Sequence, residues 1–196
     1  MRVAVAVSGG GSNLQALLDS LEPEAQVVLV LSNRPDAGGL ERARRKGVET
    51  AVLADPSDAE EWLRLLTATG VDLVVLAGYL KLVPAMVIER FRGRIINIHP
   101  GLLPEYGGPG MYGRRVHEAV LARGDTESGA TVHVVDEVYD RGPVLARARV
   151  PVNPGDTPEV LAARVLAVEH RLLPAVVLAA ARAGRPVPLD ETDFDS

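Results

Sequence analysis

The sequence contains no cysteine among its 196 residues, only 4% aromatic residues and no excess of positive charge. Without thiols the chain has no disulfide framework, thiolate nucleophile, zinc-thiolate site or iron–sulfur cluster, which suits a reducing compartment. Lysine and arginine total 21 against 26 acidic residues, giving a net charge of −5. Because a broad positive surface is missing, we predict small-molecule substrates and no nucleic acid partner.

Long apolar runs are also missing from the sequence. The run Val3 to Val7 is too short for a signal peptide and leads into glycines. The stretch Leu172 to Ala181 falls well short of the roughly 20 residues that span a bilayer. These features predict a cytoplasmic protein with no membrane partner.

Short β-branched runs alternate with longer segments of helical period, a pattern typical of a mostly parallel sheet with helices on both faces. The expected parallel strands are Arg2 to Val7, Gln26 to Leu31, Thr50 to Leu53, Asp72 to Leu76 and Arg94 to Ile98. The expected helices are Ser12 to Leu21, Gly39 to Lys46, Ser57 to Thr69 with Ser57 as N-cap, Pro84 to Arg90, Arg114 to Ala122, and Thr157 to Gly184. The predicted class is therefore α/β, with an open, twisted sheet.

Two later segments, Ala130 to Val135 and Val144 to Val152, alternate between apolar and polar residues. They predict an antiparallel pair at one edge of the sheet, joined by a turn at 140–143. No repeat or linker divides the chain, so we expect a single domain over 1–185 and an acidic, flexible tail over 186–196.

A glycine-rich motif, Ser8-Gly9-Gly10-Gly11-Ser12-Asn13, connects the first predicted strand to the first predicted helix. Backbone N–H groups and the positive end of the helix meet there, which favours phosphate binding. The motif lacks both the lysine of a Walker loop and the third glycine of a dinucleotide fingerprint. The alternative is a tight turn that simply requires small residues.

A second motif, Asn97-Ile98-His99-Pro100, ends the strand Arg94 to Ile98. Side-chain alternation directs Asn97 and His99 to the same side, at the sheet edge where α/β proteins bind ligands. The glycine- and proline-rich segment Pro100 to Gly113 that follows has the length of a lid. We interpret the pair as functional, although a lone histidine is more often structural.

The remaining titratable residues leave alternatives open. His133 lies among valines and is either a hydrogen-bonded core histidine or part of a site. The loop after this strand contains Asp136, Glu137 and Asp140. It is either a solvated acidic turn or supplies a carboxylate that orients His99. The other histidines lack zinc-site spacing, and we expect no metal.

Together, Ser8 to Leu14 and Asn97 to Pro104 resemble the folate-dependent formyltransferase family, in particular its members that formylate glycinamide ribonucleotide for purine biosynthesis. The similarity continues through Leu76 to Leu80, Thr131 to Val135, Asp140 to Pro143 and Glu169-His170. One departure is Gly107 to Gly113, which replaces the Pro-Gly-Leu-His of many relatives, so residues there cannot be carried over.

The resemblance implies a Rossmann-like fold that transfers the formyl group of 10-formyltetrahydrofolate to the ribonucleotide amine, without metal or ATP. It assigns the phosphate to the amides of Gly11, Ser12 and Asn13, and the ribose hydroxyls to Glu169. It assigns the folate to Leu80, Lys81, Leu82, Val83, Asn97, Asp136, Glu137, Val138, Tyr139 and Asp140.

The catalytic residues that the resemblance implies are Asn97, His99 and Asp140. As the amine attacks the formyl carbon, the formyl oxygen gains negative charge, so Asn97 and a protonated His99 would donate hydrogen bonds to it. Asp140 would raise the basicity of His99 and assist proton transfer.

Other members of the family share the Asn-x-His-Pro core. A formyltetrahydrofolate hydrolase, a methionyl-tRNA formyltransferase and a sugar-nucleotide formyltransferase are the alternative enzymes, and a non-catalytic sensor is the alternative from another class. We disfavour the hydrolase and the tRNA enzyme because no extra N-terminal or C-terminal domain is expected. Assembly into a homodimer is left open.

Overall fold

A computed structural model describes residues 1–21 and 23–190 of the chain. The described residues contain the strands β1 (Arg2–Val7), β2 (Gln26–Ser32), β3 (Glu49–Val52), β4 (Leu73–Leu76), β5 (Ile95–His99), β6 (Glu127–Val134) and β7 (Val144–Pro151). They form one seven-stranded sheet in the order β3-β2-β1-β4-β5-β6-β7. The predicted α/β class is therefore confirmed.

Helices cover both faces of this sheet. They are α1 (Ser12–Ser20), α2 (Gly38–Arg45), α3 (Ala59–Ala68), α4 (Ala85–Arg90), α5 (Arg114–Arg123) and α6 (Pro158–Ala183). One apolar core contains side chains of α1, α2, α5 and α6, and the other contains side chains of α3 and α4. The strands of the sheet centre are apolar over their length because both faces are buried.

The predicted antiparallel pair is confirmed at the edge of the sheet. Strand β6 pairs antiparallel with β7, and also with β5, whereas β1 to β5 pair parallel to one another. Strand β6 begins at Glu127 rather than at Ala130, because Glu127 and its neighbours pair with the end of β7. Cross-strand pairing therefore extended β6 beyond its alternating segment.

The predicted N-cap of α3 is wrong by one residue. The Asp58 carboxylate accepts hydrogen bonds from the amides of Glu60 (2.9 Å) and Glu61 (3.2 Å) and is the observed cap. The Ser57 hydroxyl instead donates to Asp55 Oδ1 at 2.7 Å. A carboxylate also interacts favourably with the helix dipole, so Asp58 is the better cap.

The end of the chain differs in part from the expected free tail. The Leu189 amide donates to the Leu145 carbonyl at 2.8 Å, and the Leu189 side chain packs against the core, so this part lies along β7. The predicted acidic residues 191–196 lie outside the described residues. Within the described part of the chain, no helix is both long and apolar enough to cross a membrane.

The strand order reverses at β1, which lies between β2 and β4. The carboxyl ends of β1, β4 and β5 therefore meet at one edge of the sheet, where open α/β sheets form ligand crevices. The first sequence motif follows β1 at this edge, and the second forms the end of β5.

Candidate active site

A cavity of about 720 Å³ opens at this edge of the sheet. Its walls come from the segments after β1, β4, β5 and β6 and from α6. The predicted site residues that line it are Asn13, Leu80, Lys81, Leu82, Val83, Asn97, His99, Asp136, Val138, Tyr139, Asp140 and Glu169. Gly11 and Ser12 adjoin it through Asn13, whereas Glu137 is not part of its wall.

The motif after β1 forms a tight loop at the start of α1. Gly11 is the N-cap of α1 and adopts a left-handed conformation (φ 73°), and no side chain of the described residues caps the helix there. The first amides of α1 therefore have no side-chain acceptor among the described residues, and such amides can bind an anion.

Glu169 reaches the same end of the cavity from α6. Its side chain is buried, and its Oε2 accepts a hydrogen bond from Asn13 Nδ2 at 2.6 Å. Burial raises the pKa of Glu169 to about 7, although the hydrogen bond from Asn13 opposes this. Glu169 therefore contacts the predicted phosphate loop, Gly9 to Asn13, through the Asn13 side chain.

Asn97 is oriented from the neighbouring strand. The antiparallel register places Asn97 of β5 directly opposite His133 of β6, and Asn97 Nδ2 lies 3.1 Å from His133 Nε2. His133 Nδ1 lies 3.0 Å from the Val134 carbonyl, which can only accept, so we assign the proton to Nδ1. His133 Nε2 then accepts a hydrogen bond from Asn97.

His99 is buried and has one ring nitrogen committed to the backbone. Its Nε2 donates to the Tyr106 carbonyl at 2.7 Å, while its Nδ1 lies 3.8 Å from Asp140 Oδ2, too far for a direct hydrogen bond. Burial lowers the pKa of His99, although Asp140 acts to raise it. Burial thus favours the neutral imidazole, whereas the protonated His99 that the resemblance implies would depend on the nearby carboxylate.

Asp140 lies between the two imidazoles. Its Oδ2 accepts from the Gly108 amide at 2.9 Å, and its Oδ1 lies 3.5 Å from His133 Nε2. Burial acts to raise its pKa, but hydrogen bonding, including that from the Gly108 amide, lowers the pKa below its ordinary value. Asp140 is therefore a carboxylate. Its own backbone adopts a positive φ of 55° although it is not a glycine. Such strained conformations are often found at functional sites.

His133 is the residue that sequence reasoning left undecided. The structure places it in contact with Asn97 and close to Asp140, so it belongs to this cluster. Its neighbours in the sequence are valines typical of a core strand, and they gave no indication of this. The information lay in the pairing register of β5 and β6.

The other carboxylates of the predicted acidic loop point elsewhere. Asp136 Oδ1 accepts from the Val138 amide at 2.9 Å, and Glu137 forms an exposed ion pair with Arg92 at 3.6 Å. Among residues 1–21 and 23–190, no group of three or more acidic residues or histidines is arranged to hold a metal ion.

Another part of the cavity wall is apolar and partly exposed. Leu80, Leu82 and Val138 are each more than half exposed, and Tyr139 is 45% exposed. Large apolar side chains exposed around a cavity are typical of a ligand site. This part of the wall therefore offers an apolar surface to an organic ligand.

The variant loop, Gly107 to Gly113, forms a wall of the cavity. A Cβ atom on Gly107 would lie 2.9 Å from Asp140 Cβ and 2.5 Å from Leu103 Cδ2, so a glycine is required for this approach. The loop therefore packs directly on Asp140, although its motif differs from that of many relatives.

Comparison with known proteins agrees with this geometry. The formyl transferase family matches residues 1–177. The phosphoribosylglycinamide formyltransferase of Escherichia coli is 39% identical over 90% of this chain and 85% of its own length. The chloroplastic enzyme of that name from Arabidopsis thaliana is 46% identical over 90% of this chain.

Two solved structures have the same fold. The phosphoribosylglycinamide formyltransferase of Anaplasma phagocytophilum superposes with a TM-score of 0.88 at 38% identity, covering 93% of this chain and 88% of its own. The glycinamide ribonucleotide transformylase 1 of Symbiobacterium toebii superposes with a TM-score of 0.87 at 41% identity, covering 97% and 94%.

The match covers 64% of the Arabidopsis protein and 59% of the Vigna unguiculata protein of the same name, so the chain spans less than two thirds of either. The family match nevertheless extends over most of this chain. The chain therefore belongs to the formyl transferase family.

Proposed function

We propose that this protein transfers the formyl group of 10-formyltetrahydrofolate to the amine of glycinamide ribonucleotide, giving the formylated ribonucleotide and tetrahydrofolate. The observation that carries this proposal is that Glu169, Asn13 and the cluster Asn97–His99–Asp140 line one cavity. The names of the relatives support the same reaction.

The ribonucleotide would occupy the end of the cavity at α1. The amides of Gly11, Ser12 and Asn13 would bind its phosphate, because the first turn of a helix attracts anions. Glu169 would accept hydrogen bonds from the ribose hydroxyls in its ionised form. The hydrogen bond from Asn13 supports that form, since it opposes the effect of burial on the pKa.

The folate would occupy the apolar end, where it supplies an activated formyl group. Leu80, Leu82, Val83 and Tyr139 offer the apolar surface that a flat ring system needs, and all four line the cavity. The other residues that we propose for this ligand are Lys81, Asn97, Asp136, Val138 and Asp140. Glu137 has the weakest support, because its carboxylate faces Arg92 outside the cavity.

Asn97 would stabilise the formyl oxygen as it gains negative charge. One N–H of its amide is donated to His133, which leaves the second N–H for the reaction. A preorganised donor of this kind contributes about 2.7–4 kcal/mol in other acyl transfers. His133 would act as a positioning residue, since it fixes the plane of the Asn97 amide.

His99 and Asp140 would transfer a proton from the attacking amine to the departing folate nitrogen. The attacking amine loses one proton as the new C–N bond forms, and the folate nitrogen gains one as its C–N bond breaks. His99 Nδ1 faces Asp140 across 3.8 Å and would accept a proton there, because burial favours the neutral imidazole in the resting site. Asp140 would stabilise the imidazolium, which then returns the proton to the departing nitrogen.

The test is to mix the protein with 10-formyltetrahydrofolate and glycinamide ribonucleotide while following the folate absorbance. We expect tetrahydrofolate only when both substrates are present. Folate breakdown without the ribonucleotide would identify a hydrolase. No change in folate absorbance under any condition would favour the non-catalytic sensor. Both results contradict the proposal.

Two further properties belong to this proposal. The reaction is proposed to need neither metal nor ATP, because the formyl donor is already activated. The plant relatives are named as chloroplastic, whereas we propose a cytoplasmic location for this protein. Both small-molecule substrates would bind without a nucleic acid partner.

A further inference from the structure

Helix α2 supports the phosphate loop through close backbone contacts. The Gly39 amide donates to the Gly9 carbonyl at 3.1 Å. A Cβ atom on Gly11 would lie only 2.6 Å from Gly39 Cα, and one on Gly38 would lie 3.3 Å from Gly10 Cα. Glycines on both sides therefore allow the start of α2 to pack directly on the loop.

Arg42 adds a side-chain bridge to this contact. Its Nε donates to the Gly10 carbonyl at 2.7 Å, and its Nη1 donates to Gln15 Oε1 at 3.2 Å. Gly10 belongs to the loop and Gln15 to the first turns of α1. The planar guanidinium of Arg42 thus connects Gly10 with Gln15, and the first amides of α1 lie between these two residues.

The glycine part of the loop, Gly9 to Gly11, depends on these outside contacts because it has no side chains that could fix it. Gly11, the N-cap, has no Cβ, and none of the described side chains caps α1. A glycine segment loses much conformational entropy on ordering. Contacts that fix the loop before the ligand arrives would reduce the cost of binding.

We propose that Arg42 is a positioning residue that holds the phosphate loop in its binding conformation from helix α2. This inference rests on the proposed function, because it assigns the loop to the phosphate of the ribonucleotide. The bridge requires two donors in a fixed plane, which arginine has and lysine lacks. Charge alone would not replace it.

The test compares Arg42→Met and Arg42→Lys with Arg45→Met as the matched control. Arg45 lies on the same helix, is 76% exposed and pairs only with Glu41 among its described contacts. We expect both Arg42 variants to raise the KM for glycinamide ribonucleotide at least about tenfold, with the KM for the folate within about twofold. The control should match the wild type for both substrates.

Three results would overturn the inference. An unchanged ribonucleotide KM in folded Arg42→Met would remove the role altogether. Full activity of Arg42→Lys would show that only charge matters. A similar rise in both KM values would indicate general loosening of the fold.

Calorimetric titration with ribose 5-phosphate separates this inference from the proposed function. If the wild type binds this probe and the Arg42 variants bind it at least about tenfold more weakly, the inference holds even when formyl transfer is not detected. If transfer occurs but all variants bind the probe equally, the inference fails while the function stands. If the wild type neither binds the probe nor transfers the formyl group, both are wrong.

Discussion

The ends of β1 and β5 border the same cavity, but the first contributes backbone groups to it and the second contributes side chains. After β1, the glycine loop presents backbone amides, and its shape depends on close packing against α2. At the end of β5, the side chains of Asn97 and His99 enter the cavity and are held by His133 and by the Tyr106 carbonyl. One strand end is suited to binding an anion and the other to moving protons.

The difference follows from the neighbours of each strand. Strand β1 pairs in parallel on both sides, and its residues Val3 to Val7 are buried in the core, so only the loop beyond it can act. Strand β5 pairs in parallel with β4 but antiparallel with β6, which places Asn97 directly opposite His133. Directly opposed antiparallel residues bring their side chains into contact. The change of strand direction thus creates a place where a polar cluster can be built.

The largest effects should come from the side chains at the end of β5. We expect His99→Ala and Asn97→Ala each to lower kcat at least about tenfold, because both act mainly on the transition state. KM should change much less. Steady-state kinetics with both substrates varied would check this, with circular dichroism to verify folding. A well-folded His99→Ala protein with unchanged kcat would remove His99 from the mechanism.

Asp140→Asn tests the charge at the same strand end. The substitution keeps the shape of the side chain but removes the negative charge that stabilises an imidazolium. We expect kcat to fall by about tenfold or more. The measurement is kcat at several pH values. Wild-type turnover across this range would make Asp140 a structural residue that anchors Gly108.

Glycine substitutions would sharpen the contrast between the two loops. Gly11→Ala should destabilise the protein by about 2 kcal/mol or more, because its Cβ would lie 2.6 Å from the Gly39 backbone and φ is 73°. Gly110 also has a positive φ, of 86°. In Gly110→Ala, however, the new Cβ would approach only Arg115 Nη1, at 3.9 Å. This substitution should cost about 1 kcal/mol.

Thermal unfolding of the two glycine variants would measure this difference. The variant at Gly11 should also raise the KM for the ribonucleotide, whereas the variant at Gly110 should not. Equal stability losses would contradict the view that close packing against α2 makes Gly11 less tolerant of a side chain than Gly110.

A smaller effect concerns Glu169 at the binding end. Burial raises its pKa from the ordinary 4.5 to about 7, so between these values the folded state binds more protons than the unfolded state. Stability should therefore fall as the pH rises from about 4.5 to 7, by at most about 3 kcal/mol. Glu169→Gln should remove this part of the slope, since glutamine does not titrate.

Urea unfolding at a series of pH values would test this expectation. Glu89→Gln, at an exposed position of α4, is the matched control and should keep the wild-type slope. An unchanged slope in Glu169→Gln would mean that Glu169 titrates as it does in the unfolded chain.

The sequence was sufficient for the class of fold and for both strand-end motifs, because strand patterns and glycine loops are local signals. The N-cap at Asp58 was missed, since Ser57 and Asp58 are both good caps and only the structure distinguishes them. The position of His133 could not be predicted, because it depends on the register between β5 and β6. The lowered pKa of His99 could not be predicted either, since it depends on burial by distant segments.

The smallest expected effect is that of removing metal ions and ATP. The loop after β1 lacks the lysine that would contact the outer phosphates of a nucleotide triphosphate, so ATP should not bind there. The acidic loop after β6 is the best candidate for a cation, but its carboxylates are already engaged: Asp136 with the Val138 amide, Glu137 with Arg92, and Asp140 with Gly108. A hard cation needs several oxygen atoms that converge on one point.

We therefore expect full activity with formylated folate as donor in excess chelator and without ATP. The control is the same assay with magnesium and ATP added, which should give the same rate. The rate of Asp136→Asn should be just as insensitive to the chelator, because its carboxylate would not be a metal ligand. Loss of activity in EDTA, restored by magnesium, would overturn the metal-free mechanism and make Asp140 a metal ligand. The end of β5 would then act through a bound cation and no longer through side chains alone.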